Sequence, residues 1–188
     1  FVSQELFIVR KDMKVKLLGA VLKQYHGSVL LFMRTRRGAR KITTVLRSMS
    51  HSVAEIHADR SLSQRKEALS GFKSGRYRIL VATDIAARGI DVTAIELVIN
   101  YDLPEDPENY VHRIGRTGRA GVAGHAITFA TPEQGKDVRD IEKIIRVSIP
   151  LSEHPGVSVK SFSSFSSAPP KQTSYRHHSK FNRRPRRR

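Results

Sequence analysis

The first 150 residues alternate short apolar runs with amphipathic stretches. The apolar runs predict six strands, at residues 6–9, 29–33, 53–56, 79–82, 97–100 and 126–129. Apolar residues at helical spacing predict five helices, at residues 14–24, 38–48, 63–73, 107–114 and 133–146. Runs that are apolar throughout are typical of strands covered on both faces. The alternation therefore predicts an α/β fold, in which a mostly parallel sheet carries helices on both sides.

This pattern stops near residue 150. Residues 161–167 are rich in Ser, and the chain ends in the basic run RRPRRR. Residues 151–188 hold nine Lys or Arg against one acidic residue, and their composition offers little to offset the entropy of ordering. We therefore predict a folded domain at residues 1–150, followed by a disordered, Ser- and Arg-rich basic tail at residues 151–188.

The net charge and the absence of Cys limit the classes of partner and of metal or disulfide site that the protein can have. A formal net charge of +17 favours a polyanionic partner, which could be RNA, DNA or an acidic membrane surface. The sequence has no Cys, which excludes disulfides and zinc ribbons. No stretch approaches the roughly 20 apolar residues that cross a bilayer. We expect the protein to be monomeric and cytoplasmic and not to contact a membrane. We expect no metal ligands in this sequence.

The sharpest chemical signal is the octet HRIGRTGR at residues 112–119. Arg113, Arg116 and Arg119 follow one another at three-residue spacing, so neighbouring pairs can converge on one anion. A solvated basic loop is the alternative, and eight ordered positions of this kind disfavour it. The octet resembles motif VI of DEAD-box RNA helicases. The resemblance implies that Arg116 and Arg119 are arginine fingers that reach the γ-phosphate of ATP on another domain, and that His112 and Arg113 position the two domains.

A second segment, VATDIAARGID at residues 81–91, resembles motifs V and Va of the same family. By this resemblance, Thr83 contacts an RNA phosphate and Arg88 links the loop to the partner domain. Gly89 and Asp91 lie on the nucleotide side, where Asp91 accepts hydrogen bonds from the ATP ribose. The alternative is that Thr83 and Asp84 only cap the following helix.

Two further segments resemble the motifs that contact RNA. Residues 29–35 resemble motif IV, with Phe32 in the core and Thr35 and Arg36 as phosphate contacts. The region around residues 57–65 resembles motif IVa, where Arg65 has the phosphate-binding residue type. It departs from the usual pattern in having Leu62 where Gln is frequent. The nearby His57 is predicted to be structural, because no second metal ligand stands at a legible spacing from it.

The resemblance covers roughly residues 1–148 and implies a RecA-like three-layer sandwich, the C-terminal half of an ATP-dependent RNA helicase. The sequence contains neither G-x-x-x-x-G-K-[ST] nor Asp-Glu-Ala-Asp. We therefore expect ATP with Mg²⁺ to be held mainly by an N-terminal RecA-like domain in cis, and single-stranded or short duplex RNA to be the partner. The chain alone should be inactive. A non-catalytic RNA-binding module and a DNA helicase fragment remain as alternatives.

Overall fold

The computed structural model describes residues 2–92, 94–118, 121 and 123–163. The strands are β1 (Val2–Val9), β2 (Val29–Phe32), β3 (Val53–Ile56), β4 (Ile79–Ala82), β5 (Leu97–Asn100), β6 (Gly124–Ala130) and β7 (Ser158–Val159). The helices are α1 (Lys14–Gln24), α2 (Arg36–Ser48), α3 (Leu62–Lys73), α4 (Asp84–Ala87), α5 (Glu108–Ile114) and α6 (Gly135–Ile145). All six predicted strands and all five predicted helices are confirmed. Within the described ranges, no helix has the length and apolar character that crossing a membrane requires.

The strands form one sheet in the order β3-β4-β2-β5-β6-β1-β7, and of these described strands only β7 runs antiparallel to its neighbour. Their register aligns the carboxyl ends. Phe32, the last residue of β2, pairs with Ala82 of β4 and Asn100 of β5. Ile56 of β3 pairs with the same Ala82. The loops after four adjacent strands therefore emerge side by side at one edge of the sheet.

Helices cover both faces of this sheet. On one face, Leu17 of α1 and Ile42 of α2 pack against Leu31 of β2. On the other face, Phe72 of α3 packs against Leu30 of the same strand. Successive residues of a strand point to opposite faces, so β2 needs apolar residues at every position. The result is the predicted three-layer α/β sandwich.

The described fold continues beyond the domain boundary predicted at residue 150. The Leu6 amide donates to the carbonyl of Pro150 at 2.8 Å, and β7 pairs antiparallel with β1. Val157 is buried, and Phe162 packs against the cluster that includes α6. Residues 151–163, which the sequence assigned to the tail, thus add an edge strand to the sheet. Residues 164–188, with the terminal Arg run, lie outside the described residues, and their predicted disorder stays a prediction.

Candidate functional site

Most of the predicted site residues follow the strands whose carboxyl ends are aligned. The Met33 amide, just after β2, donates to the carbonyl of Ala82 at 2.9 Å, and Thr83 follows Ala82 directly. The Asp102 amide lies 3.4 Å from the carbonyl of Phe32. Parallel α/β sheets bind ligands in the loops beyond their carboxyl edge. The sheet therefore brings the segments that resemble motifs IV, V and VI to one place.

Arg113 of α5 lies at the centre of this edge, and its side chain is only 1% exposed. Its Nε and Nη2 donate to the two carboxylate oxygens of Asp84 at 2.6 and 2.7 Å. Its Nη1 donates to Asn100 Oδ1 at 3.2 Å and to the Asp102 carbonyl at 2.6 Å. The guanidinium also lies 4.9 Å from the centroid of the Phe32 ring.

Arg113 is held within its own domain, because its guanidinium is buried at the sheet edge. Its predicted role in positioning this domain against another one stays a prediction. A bidentate pair with a carboxylate fixes both orientation and distance. Arg113 therefore holds the loop that starts at Thr83 and Asp84 against α5. Phe32, predicted to be core, is buried as expected and forms the floor under this guanidinium.

A buried polar chain continues from Arg113 across the sheet. Asn100 Nδ2 donates to Thr128 Oγ1 at 3.2 Å, and the Tyr110 hydroxyl lies 3.3 Å from the same oxygen. The Tyr110 hydroxyl donates to Gln4 Oε1 at 2.7 Å. Burial raises the pKa of Tyr110 to about 12, so this side chain is a neutral donor at pH 7. The chain of satisfied hydrogen bonds ties α5 to strands β5, β6 and β1.

A cavity of about 240 Å³ opens beside the Arg113–Asp84 pair. Five of its lining residues belong to the predicted site: Arg88, Gly89, His112, Arg113 and Arg116. Arg116, half-buried, donates from Nη1 to the Ile90 carbonyl at 2.6 Å. This bond fixes the side chain against the loop after α4. The cavity is therefore rich in guanidinium groups, while its one carboxylate, that of Asp84, is already paired with Arg113.

Gly89 makes the turn at this cavity with φ +76°. Residues with a Cβ atom rarely adopt this left-handed conformation, so a substitution would strain the loop. The glycine thus sets the path of the backbone that leads to the Ile90 carbonyl.

The structure does not bring Asp91 into this cavity. The Asp91 side chain is 93% exposed, and its nearest cation is Lys73, with Nζ 3.7 Å from Oδ2. Asp91 borders a separate cavity of about 430 Å³ that also contacts Ser28, the residue before β2. Its role toward the ribose stays a prediction. Arg119 lies outside the described residues.

Thr83 and Thr35 both precede helices, but only one of them caps with its side chain. Thr35 Oγ1 accepts a hydrogen bond from the Gly38 amide at 3.0 Å and so caps α2. Thr83 occupies the N-cap position of α4 without a side-chain bond, and Asp84 turns its carboxylate to Arg113. The alternative in which both residues only cap α4 therefore does not describe this loop.

The first turns of α2 carry several cations. Arg36 Nη1 donates to Asp59 Oδ1 at 2.6 Å, and Arg40 pairs with the other oxygen of the same carboxylate. Arg37 and Lys41 are exposed beside them. Arg65, half-buried on α3, donates from Nε to the carbonyl of Arg60 at 3.2 Å. Asp59 thus neutralises part of this basic surface.

His57 is structural, as predicted. Its side chain is fully buried, its Nε2 lies 3.0 Å from Glu55 Oε2, and its Nδ1 accepts from the Asp59 amide at 3.3 Å. Since Nδ1 is an acceptor, the proton of the neutral ring belongs on Nε2 and faces Glu55. His57 therefore orients the turn that carries Asp59.

Sequence reasoning missed Asp102, Asn100 and Lys14. Asp102 accepts from the Arg34 amide at 3.0 Å and from Lys14 Nζ at 3.2 Å. Burial lowers the pKa of Lys14, and the charge of Asp102 opposes this shift. Asn100 and Asp102 could have been found by the rule used for Thr83, because both are polar residues at the carboxyl end of an apolar run. Lys14 gave no signal, since its position in α1 matches an ordinary surface lysine.

Comparisons with known proteins agree with this geometry. A profile of the family described as "Helicase conserved C-terminal domain" matches residues 13–121. The chain is 45% identical over 147 residues to DEAD-box ATP-dependent RNA helicase 30 of Arabidopsis thaliana, covering 77% of this chain and 25% of that protein. It is 46% identical over 137 residues to ATP-dependent RNA helicase DBP2 of Candida albicans, covering 73% of this chain and 24% of that protein. The chain thus spans about a quarter of the length of these relatives.

Solved structures show the same likeness. The E. coli DEAD-box protein SrmB superposes with a TM-score of 0.81 at 28% identity, covering 87% of this chain and 99% of that one. A DEAD box protein from Methanococcus jannaschii superposes with a TM-score of 0.77 at 38% identity, covering 81% of this chain and 42% of that one. Together, the RecA-like sheet, the matched profile and these relatives show that the chain belongs to the helicase conserved C-terminal domain family, in its DEAD-box branch.

Proposed function

We propose that this chain acts as the C-terminal half of an ATP-dependent RNA helicase. In this proposal Arg116 and Arg119 reach ATP that is bound by an N-terminal RecA-like half, with Gly89 and Asp91 on the nucleotide side. The observation that carries it is the cavity where Arg116 is held against the loop that contains Gly89. A solvated basic loop would not need Arg116 fixed by a backbone carbonyl, nor Arg113 buried behind it.

Arg116 would act by electrostatic stabilisation. Negative charge is spread over the equatorial oxygens of a phosphoryl group during transfer, and a guanidinium placed against it lowers the barrier. The bond to the Ile90 carbonyl limits the rotamers of Arg116, so less side-chain entropy is lost when it meets phosphate. His112 and Arg88 are exposed at the rim of the cavity, where a partner domain would meet this one.

Among the described residues, no group of three ligands is placed to hold Mg²⁺ by itself, and the proposal leaves the ion with ATP on the N-terminal half. In the part of the chain that the structure describes, no three His, Cys, Asp or Glu residues lie close enough to share a metal ion. The carboxylate of Asp84 in the cavity is engaged by Arg113. The proposal therefore assigns this chain the cationic side of the ATP site and no metal-dependent step.

The proposed division of the ATP site between two halves is tested by measuring ATP hydrolysis by the chain alone, with single-stranded RNA present. We expect a background rate, because one half supplies only part of a preorganised site. Joining a DEAD-box N-terminal half to the chain should then restore RNA-stimulated turnover. Robust hydrolysis by the chain alone that survives repurification would contradict the proposal.

The RNA surface is proposed to comprise Thr83, Thr35, Arg36 and Arg65. Thr83 and Thr35 follow paired strands, so their loops are neighbours, and Arg36 begins the helix that Thr35 caps. Hydroxyl and guanidinium groups of this kind contact phosphates and carry no sequence information. A DNA helicase would use a similar surface. Competition between RNA and DNA oligonucleotides of one sequence distinguishes an RNA helicase from a DNA helicase. A preference for DNA would contradict the assignment to RNA.

Asp59→Asn is predicted to tighten RNA binding. The carboxylate of Asp59 competes with phosphate for Arg36 and Arg40, so its neutralisation frees both guanidinium groups. We expect about a threefold to tenfold gain in affinity, with a salt dependence steeper by about 0.7 for each phosphate gained. Fluorescence anisotropy with a labelled single-stranded RNA, repeated over several salt concentrations, measures both.

Asp137→Asn is the matched control for the Asp59 variant. It makes the same chemical change at an exposed position in the first turn of α6. Its affinity should stay within about twofold of wild type, because Asp137 is on α6, outside the proposed RNA surface, and exposed charges are screened by salt. Weaker binding by Asp59→Asn would mean that Asp59 orders the two arginines for RNA instead of masking them.

A further inference from the structure

Three separate segments meet at Asp102, a residue outside the segments that resemble motifs. Its Oδ2 accepts from the backbone amide of Arg34 at 3.0 Å, in the loop between β2 and α2. Its Oδ1 accepts from Lys14 Nζ of α1 at 3.2 Å. Its carbonyl accepts from Arg113 Nη1 at 2.6 Å. Asp102 therefore connects the Arg34 loop to the arginine that also holds Asp84.

The ion pair between Asp102 and Lys14 is not an ordinary surface pair. The Lys14 side chain is 6% exposed and that of Asp102 is 28% exposed. Lys14 Nζ also donates to the Tyr101 carbonyl at 2.8 Å, so the ammonium is fixed from two sides. A charge withdrawn from water to this extent stabilises a geometry only when its partners are in place. The pair thus holds the Asp102 carboxylate in the orientation that receives the Arg34 amide.

We infer that Asp102 is a positioning residue for RNA binding. It holds the loop at Arg34 so that Thr35 and Arg36 are presented at the start of α2. Through Arg113 it fixes the same loop relative to Thr83, so that the proposed phosphate contacts on the two loops keep a constant spacing. The inference rests on the proposed RNA surface. It adds Asp102 as a residue that supports this surface and does not itself contact RNA.

An effect of charge alone and a positioning role predict opposite changes in RNA affinity for Asp102→Asn. A carboxylate beside a phosphate-binding loop repels RNA, so removing its charge should tighten binding if electrostatics were its only effect. Asn keeps the shape of Asp but has one acceptor oxygen where two donors, the Arg34 amide and Lys14 Nζ, must be satisfied. The loop should therefore loosen, and RNA binding should weaken.

The test uses the 188-residue chain and a labelled single-stranded RNA. We expect Asp102→Asn to weaken RNA binding about fivefold to tenfold, while Asp137→Asn stays within about twofold of wild type. Hydrogen exchange at the Arg34 amide should accelerate about tenfold, and exchange in α6 should not change. Lys14→Met, which releases the carboxylate from the other side, should shift both measurements in the same direction.

The two proposals fail in different ways. If the wild-type chain does not bind RNA, the proposed RNA surface is wrong and the inference falls with it. If wild type binds and Asp102→Asn binds as tightly or more tightly, the positioning role is overturned while the RNA surface stands. Unchanged exchange at Arg34 in both variants also overturns it. Circular dichroism shows whether a variant is folded, and if Asp102→Asn unfolds, Lys14→Met decides the question alone.

Discussion

Arg116→Ala is expected to lower the kcat of RNA-stimulated ATP hydrolysis by about 10³–10⁵-fold when the chain is joined to an N-terminal half. At 1.36 kcal/mol for each tenfold change, this is about 4–7 kcal/mol of barrier. In the proposed role the guanidinium acts on charge that develops during transfer, so its loss should appear in kcat more than in the KM for ATP. Steady-state hydrolysis at saturating RNA, with ATP varied, measures both.

Two further variants make this result specific. Arg116→Lys keeps the charge but loses the planar fork, so only a small part of the rate should return. Arg139→Ala removes an exposed arginine from α6, far along the chain from the cavity, and should leave the rate near wild type. A loss of less than tenfold for Arg116→Ala would show that Arg116 is not a finger.

Arg113→Met is expected to reduce the free energy of unfolding by about 3 kcal/mol. Removing one partner of a buried pair costs about 3–5 kcal/mol, because it leaves the other charge uncompensated. The lower end applies here, since the Asp84 side chain is still 21% exposed. Asn100 Oδ1 and the Asp102 carbonyl also lose a donor. For a chain of this length the loss lowers Tm by about 6–12 °C in a thermal unfolding experiment.

The double variant Arg113→Met with Asp84→Asn separates this pair from general damage to the core. In the chain that already lacks the Asp84 charge, Arg113→Met should reduce the free energy of unfolding by less than it does in the wild-type chain. The effects of the two substitutions on stability should therefore not add. Arg139→Met serves as the control at an exposed position and should change Tm little. Strict additivity in the double variant would contradict the role given to the Arg113–Asp84 pair.

The sequence predicted the layers of the fold and the location of the site. Each run such as residues 79–82 is apolar at every position, which indicates a strand buried on both faces and therefore a parallel sheet. Glycine and arginine spacing in residues 112–119 identified the segment that carries Arg116. These signals are local, so they can be read from the sequence without knowing which strands are neighbours. The edge strand β7 was missed, because two residues are too few to leave a periodic pattern.

Only the tertiary structure decided which polar groups are partners. Arg113 and Asp84 are 29 positions apart and Lys14 and Asp102 are 88 apart, and both contacts depend on the strand order β4-β2-β5. Hydrophobic periodicity specifies that a strand is buried but not which strand lies beside it. For that reason the sequence did not show that Arg113 is buried against Asp84. The sequence marked Asp102 only as a polar residue after an apolar run, and its contacts to Lys14, Arg34 and Arg113 depend on the segments that the sheet brings together.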